Sequence, residues 1–136
     1  MAQIYGNITE LIGKTPLLHL GRLGQAYGCR ASVYGKLECF NPGGSLKDRA
    51  ALQMVTAAMQ RGELPEGGVV VEPTGGNCGV ALSMVCAALG LRCILVVPED
   101  MDPLRVENMR TYGAEIVMTP AAEGAAGAAE KARAIR

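Results

Sequence analysis

The sequence has no tryptophan, one phenylalanine and a single histidine, and none of its apolar stretches is long. Each shortage excludes something. His19 alone cannot build a histidine-based metal centre. The five cysteines, Cys29, Cys39, Cys78, Cys86 and Cys93, form no C-x-x-C pair, so no metal ligand set is expected. The longest mainly apolar run, Val80 to Leu89, is roughly half of a membrane span, which argues against a membrane partner. Met1 to Asn7 lacks the basic-then-apolar layout of a secretory signal. Basic and acidic residues balance at 13 each and no basic block stands out, so nucleic acid is not an expected partner. An odd, scattered set of cysteines reads as free thiols in a reducing cytoplasm, each filling a small apolar space.

What is abundant is glycine, with 18 residues, inside a chain of 136 that is 49% apolar. That is enough for one core, and the glycine content suits tight strand-to-helix turns and close helix-sheet packing. The first third is the least regular. Asn7 to Ile12 reads as one helical turn capped by Asn7 or Thr9, and Gly13 to Pro16 as a turn. Leu17–Leu20 and Ala31–Glu38 are candidate strands, with a short helix or loop between Arg22 and Cys29. From Asn41 the pattern becomes rhythmic. A Pro-Gly-Gly loop leads into a helix over Leu46 to Arg61, stopped by Gly62. Buried strands follow at Val69–Glu72, Cys93–Val97 and Glu115–Met118. They alternate with helices at Gly79–Leu89, Pro103–Tyr112 and Glu123–Arg136. Such alternation predicts an α/β fold, an open parallel sheet with helices on both faces in three αβα layers and right-handed crossovers.

Two segments carry candidate chemistry. Lys47 sits where Asn41-Pro42-Gly43-Gly44-Ser45-Leu46 enters a helix among small and apolar neighbours. Partial desolvation there would lower its pKa and make its amine a nucleophile; an ordinary solvated first-turn lysine fits the same pattern. Thr74-Gly75-Gly76-Asn77-Cys78-Gly79 follows a buried strand and opens a helix. At the ligand-binding end of a parallel sheet, its glycines and helix start suit a carboxylate or phosphate. A tight turn in which Asn77 only caps the helix fits equally. The spacing matches neither the dinucleotide fingerprint nor the Walker-type phosphate loop. Among the remaining candidates, His19 reads as structural, Glu72 as a loop-orienting or cation-pairing group, and Met101, Met109 and Met118 as core.

Taken together, the segments Ile12–Leu17, Asn41–Arg49, Glu72–Gly79, Val97–Glu99 and Tyr112–Glu115, in that order, resemble the cysteine synthase (O-acetylserine sulfhydrylase) family. This is a family of fold type II (β-family) pyridoxal-phosphate (PLP) enzymes, and the likeness runs from about Ile8 to the end. It implies that PLP is the cofactor. Lys47 would form the Schiff base with PLP and move the proton at the substrate α-carbon. Asn77 would hydrogen-bond the cofactor's ring oxygen. Thr74, Gly75, Gly76, Asn77 and Cys78 would line the site for the amino-acid carboxylate. The implied reaction is β-replacement, making L-cysteine from O-acetylserine and sulfide. A cystathionine β-synthase or serine dehydratase type of chemistry, or a non-catalytic binding module on the same fold, are the alternatives.

Two positions depart from the family's usual residues. Gly75 stands where serine is common and Cys78 where threonine is common, so two hydroxyls are missing from the carboxylate site. The resemblance also implies a division: residues 1–38 would pack on a large C-terminal domain that is absent here, and residues 39–136 would form the small domain. Homodimerisation, or association with that domain, would follow, with little turnover by the 136 residues alone.

Overall fold

A computed structural model describes residues 3–135. Met1 and Ala2 of the N-terminal segment, and Arg136 at the expected end of the last helix, lie outside the described residues. The chain begins with a 3-10 turn over Ile8–Leu11. Asn7 caps it: its Oδ1 accepts from the Thr9 amide at 2.9 Å, while the Glu10 carboxylate accepts from the Asn7 amide at 3.0 Å. This reciprocal pair is a capping box, which satisfies donors the short turn leaves open. The Asn7 side chain also donates to the carbonyl of Ala88, pinning the turn to the far end of a later helix.

Two short strands follow, β1 (Leu17–His19) and β2 (Tyr34–Lys36). They pair antiparallel around helix α1 (Gly21–Ala26). Helix α2 spans Lys47–Gln60. The remainder is the expected alternation: β3 (Val69–Pro73), α3 (Asn77–Ala88), β4 (Arg92–Pro98), α4 (Pro103–Thr111), β5 (Glu115–Thr119) and α5 (Gly124–Ile135). The three strands are parallel in the order β3-β4-β5.

Strand alternation sorts the core. On β4, Cys93, Leu95 and Val97 join Val55 of α2, Met84 of α3 and Met109 of α4 in one cluster. Val96 points the other way, to Ala128 and Ala132 of α5, with Val71 and Val117 beside it. Successive residues of a strand face opposite sides, so these two clusters define helices on both faces, and the fold is the three-layer αβα unit that the periodicity predicts. Local chemistry sets the helix limits. Asp102 accepts from the Leu104 amide at 3.0 Å ahead of Pro103, and Gly113 follows α4 at φ 86°, a conformation open to glycine.

Several expectations are corrected. Only the central strand β4 is fully buried over Leu95–Val97; β3 and β5 are edge strands and half-covered. For that reason Met118, on β5, is 42% exposed, whereas Met101 and Met109 are core. Cys86 and Cys93 are buried, but Cys29 and Cys39 are exposed because they lie in the N-terminal third outside the core. Among the described residues no helix is long and apolar enough to cross a membrane.

Candidate active site

The N-terminal ends of α2, α3 and α4 gather at one end of the molecule. α2 packs on α3, and α3 on α4. The α3 start follows directly from the carboxyl end of β3, the position where open parallel sheets bind ligands.

The loop before α2 is held by a polar network. Arg49 grips the Glu38 carboxylate with two parallel bonds, Nε to Oε2 at 2.8 Å and Nη2 to Oε1 at 2.9 Å. Thr15 and Asn41 also donate to that carboxylate, each at 2.8 Å. Arg49 further donates to the Gly13 carbonyl, and the Gly13 amide donates to Asn41 Oδ1 at 2.8 Å. Lys36 Nζ donates to the Thr15 carbonyl. The donors hold the Glu38 carboxyl at a pKa of about 2, with Arg49 the largest cause. Three distant segments, Gly13–Thr15, Glu38–Asn41 and Arg49, are thereby locked together.

Asp48 anchors the glycines. It is fully buried, and its Oδ2 accepts from the Gly43 amide at 2.6 Å while Oδ1 has no partner. A Cβ at Gly43 would lie 2.6 Å from that Oδ1, so the loop needs glycine there for close approach. Desolvation raises the Asp48 carboxyl above the usual carboxylate range.

Lys47 follows from this anchoring. Its amide donates to Ser45 Oγ at 3.2 Å, and its side chain is exposed, with Nζ in no ion pair or hydrogen bond among the described residues. Desolvation by its loop neighbours is therefore not what these residues supply. The charge of Lys47 nonetheless acts on Cys78, pulling down a thiol that burial and the charge of Glu72 push up. The α2 amine and the α3 turn are thus within electrostatic reach of one another.

The turn is shaped by Thr74, not by Asn77. Buried Thr74 accepts at Oγ1 from the Gly79 amide at 3.0 Å and, more weakly, from the Gly76 amide at 3.4 Å. It therefore does the capping work that one of the two sequence readings gave to Asn77. The helix begins at Asn77, whose exposed side chain makes no cap bond. The amides of Gly75, Asn77 and Cys78 donate to no protein acceptor among the described residues. Three open donors at a helix start are what an anionic group such as a carboxylate can accept from. Gly79 must be small: a Cβ there would meet Thr74 Cγ2 at 2.5 Å and Met109 Cε at 2.8 Å.

One neighbour of the turn was not legible in the motifs. Arg105 of α4 places Nη1 3.1 Å from where a Cβ on Gly76 would sit, while its own ion pair to Asp102 is loose at 3.9 Å. The Gly76 backbone is extended, with φ −177°, and the flexible tip of Arg105 is what a side chain there would have to displace. Glu72 is half-buried at the end of β3, and desolvation raises its carboxyl. His19 stands apart, its ring 5.0 Å from that of Tyr34 on the ribbon. Among the described residues no cluster of three or more His, Cys, Asp or Glu side chains is placed to hold a metal.

The unit thus combines, at one end of its parallel sheet, an exposed primary amine and a turn with open backbone donors. Residues 8–136 match the family model described as pyridoxal-phosphate dependent enzyme, and the chain belongs to that family. It is 48% identical over 133 residues to a probable cysteine synthase of Bacillus subtilis, covering 98% of this chain and 42% of that protein. Among solved structures it superposes on O-ureido-L-serine synthase with a TM-score of 0.91 at 39% identity, covering 98% of this chain and 41% of the other. The cysteine synthase of Entamoeba histolytica gives 0.92 at 36% identity, with 98% and 40% covered. The chain thus spans about two-fifths of the length of these relatives. The family's cofactor is pyridoxal phosphate, and the Lys47 amine and the open turn are groups that fit it.

Proposed function

We propose that this chain supplies the lysine and the carboxylate turn of a PLP-dependent β-replacement that makes L-cysteine from O-acetylserine and sulfide. The observation that carries this reading is an exposed Lys47 amine, within electrostatic reach of a turn whose Gly75, Asn77 and Cys78 amides have no acceptor among the described residues. The similarity to proteins named cysteine synthase supports the choice of reaction.

When bound, the cofactor supplies an electron sink for the substrate α-carbon. The rest falls to this chain. Lys47 would hold the cofactor through its amine, and its Nζ would carry the proton of the substrate α-carbon. The turn fixes the substrate carboxylate through backbone amides, so that the α-hydrogen points at Lys47; catalysis here is largely positioning. Asn77, whose exposed side chain has no partner among the described residues, would hydrogen-bond the cofactor ring oxygen. Thr74 keeps the turn in shape from beneath, Gly76 admits Arg105, and Cys78 borders the carboxylate with a thiol held protonated by burial. Because hydroxyls are absent at Gly75 and Cys78, affinity for the carboxylate depends on the backbone. In the same reading residues 1–38 dock on a larger domain, residues 39–136 are the small domain, and the active form is a homodimer.

The test is a visible spectrum of the chain titrated with pyridoxal phosphate. A new band that disappears in Lys47→Ala is expected. No band in either protein, or a band that survives Lys47→Ala, would overturn the assignment. Cysteine formation by the 136 residues alone is expected to stay well below about 1 s⁻¹, the low end of ordinary turnover. A normal enzyme rate would remove the need for a second domain.

A further inference from the structure

The chemistry proposed above leaves one buried ionisable side chain beside the lysine without a task. Asp48 follows Lys47 in the first turn of α2 and is completely shielded from solvent. Its Oδ2 accepts from the Gly43 amide at 2.6 Å, and its Oδ1 has no partner. No other buried side-chain oxygen or nitrogen among the described residues is left so. A carboxylate taken out of water normally gathers several donors or a cation. Glu38 does this, with Arg49, Thr15 and Asn41 around it. Asp48 does not.

The charged groups nearby do not make up the lack. The Glu38–Phe40 segment brings the Glu38 carboxylate, which repels a second negative charge. On α2 itself, Arg49 is paired with Glu38 and Lys47 is exposed. The Gly13–Thr15 segment carries Lys14, whose ammonium lies 4.3 Å from the centre of the Tyr5 ring. Helix α3, which packs on α2, has no charged residue, and neither has the 41–46 loop. The Gly43 amide, the amide of Asp48 itself and the start of α2 are all that favour the anion. Burial outweighs them, and with Glu38 it holds the Asp48 carboxyl above the usual range. A proton on Oδ1 would cancel the charge and keep Oδ2 as the acceptor for Gly43. That one bond matters to the loop. The Gly43 backbone lies so close that a Cβ there would stand 2.6 Å from Oδ1 and 3.0 Å from Oδ2, whereas the other ties of the loop run through Asn41.

We propose that Asp48 is the positioning residue of Lys47 and works as a proton-operated latch: as the acid it holds the Gly43 amide and keeps the Asn41–Ser45 loop closed on the first turn of α2, and as the anion it releases the loop. The consequence for Lys47 rests on the cofactor role proposed above; the latch itself does not. An anion with a bare oxygen gains by reaching water, and the Gly43 side of the loop is what stands in contact with it. Moving that side away disturbs the turn from which Lys47 projects. The sign follows from linkage. A carboxyl raised in the folded chain contributes stability that is complete below the roughly 3.9 of an unfolded aspartate and is lost as pH rises through the folded value. Glu38 behaves in the opposite way, so the lysine loop is held from one end by a carboxylate and from the other by a carboxylic acid.

The test follows the side-chain carboxyl carbon of Asp48 and the Gly43 amide by NMR while the whole chain is titrated upward from about pH 4. The two signals are expected to move together, with a midpoint above the ordinary aspartate range. Protection of the Gly43 amide against hydrogen exchange, corrected for the intrinsic rate, should fall by about tenfold across that midpoint. Asp48→Asn keeps an acceptor for Gly43 without a proton to lose, so its Gly43 protection should stay level over the same range. An Asp48 signal that titrates near 3.9, Gly43 protection that is level while Asp48 ionises, or the same fall in Asp48→Asn would each overturn the latch. Should Asp48→Asn not fold, the joint titration of the unaltered chain decides alone. The pyridoxal phosphate spectrum separates this from the cofactor role. The wild-type band should weaken across the Gly43 transition relative to the band of Asp48→Asn. Bands that keep the same ratio throughout reject the positioning of Lys47 and leave its cofactor role standing. No band in either protein rejects the cofactor role, and the positioning role with it, while the Gly43 titration still decides the latch.

Discussion

The ribbon of β1 and β2 and the sheet of β3 to β5 are both strands joined through helices, yet they keep their apolar residues in opposite places. In the sheet, Leu95, Val96 and Val97 are completely buried. In the ribbon, Leu17 is 66%, Leu18 49% and Tyr34 57% exposed. A two-stranded ribbon has no second layer to bury a face against, whereas the sheet has α3 and α4 on one side and α5 on the other. What fastens the N-terminal region is polar: the Glu38–Arg49 fork, with Thr15, Asn41 and Gly13 around it. One molecule therefore contains a region held by burial and a region held by hydrogen bonds, with the lysine loop at their junction.

The largest effect should come from breaking the first kind of support. Leu95→Ala empties a fully buried position on the central strand. The expected loss is about 3–4 kcal/mol, a large part of an ordinary domain's stability, read as a lower urea midpoint. A loss under about 1 kcal/mol would mean that the β4 core is not what stabilises the unit.

Gly79→Ala attacks the place where the core supports the site. The added methyl meets Thr74 and Met109 at distances that require something to shift. Overpacking of this kind costs about 1–3 kcal/mol. Because Thr74 shapes the turn, carboxylate binding should fall more than stability predicts. Equal wild-type and variant affinity for O-acetylserine, measured by amide shifts, would detach Thr74 from the site.

These two regions also differ in how far the sequence reveals them. The parallel unit is legible because its strands are short apolar runs, its helices stop at Gly62, Gly90 and Gly113, and its connections are short. Lys47 and the 74–79 turn are legible as motifs at helix starts. The Glu38–Arg49 fork is not, since it joins residues eleven apart in sequence to Thr15 and Gly13 through tertiary folding alone. The surroundings of Lys47 stay open in the sequence for the same reason: small neighbours in sequence say nothing of what covers the amine in space, and of the two readings it is the solvated one that the exposed side chain matches. Met118 misleads because an apolar residue on a strand reads as core until the strand order puts it at an edge. Capping by Thr74 instead of Asn77 depends on a side chain that reaches five residues forward.

The polar support has its own signature in acid. The Glu38 carboxyl sits at a pKa of about 2 in the folded chain, below the roughly 4.3 of an unfolded glutamate. A depressed folded pKa means stability that is present above the unfolded value and lost as pH falls from about 5 toward 2. Glu38→Gln should lower stability at pH 7 and flatten this acid limb, measured as urea midpoints at pH 7, 5, 4 and 3. An acid limb of unchanged steepness would place the titrating group elsewhere.

The smallest effect is expected on the ribbon face. Leu17→Thr keeps a good strand former while removing an apolar side chain that lies mostly in solvent. Its stability change should stay within about 0.5 kcal/mol, as for most surface positions. Removing exposed apolar area should at the same time reduce association, seen as a smaller sedimentation coefficient at high concentration. A loss above about 2 kcal/mol would contradict the contrast between the regions, because a side chain free in solvent cannot cost that much. If that loss then vanished on dilution, a second copy would be covering Leu17 in solution. If it persisted, the ribbon would have a burial partner within the same chain.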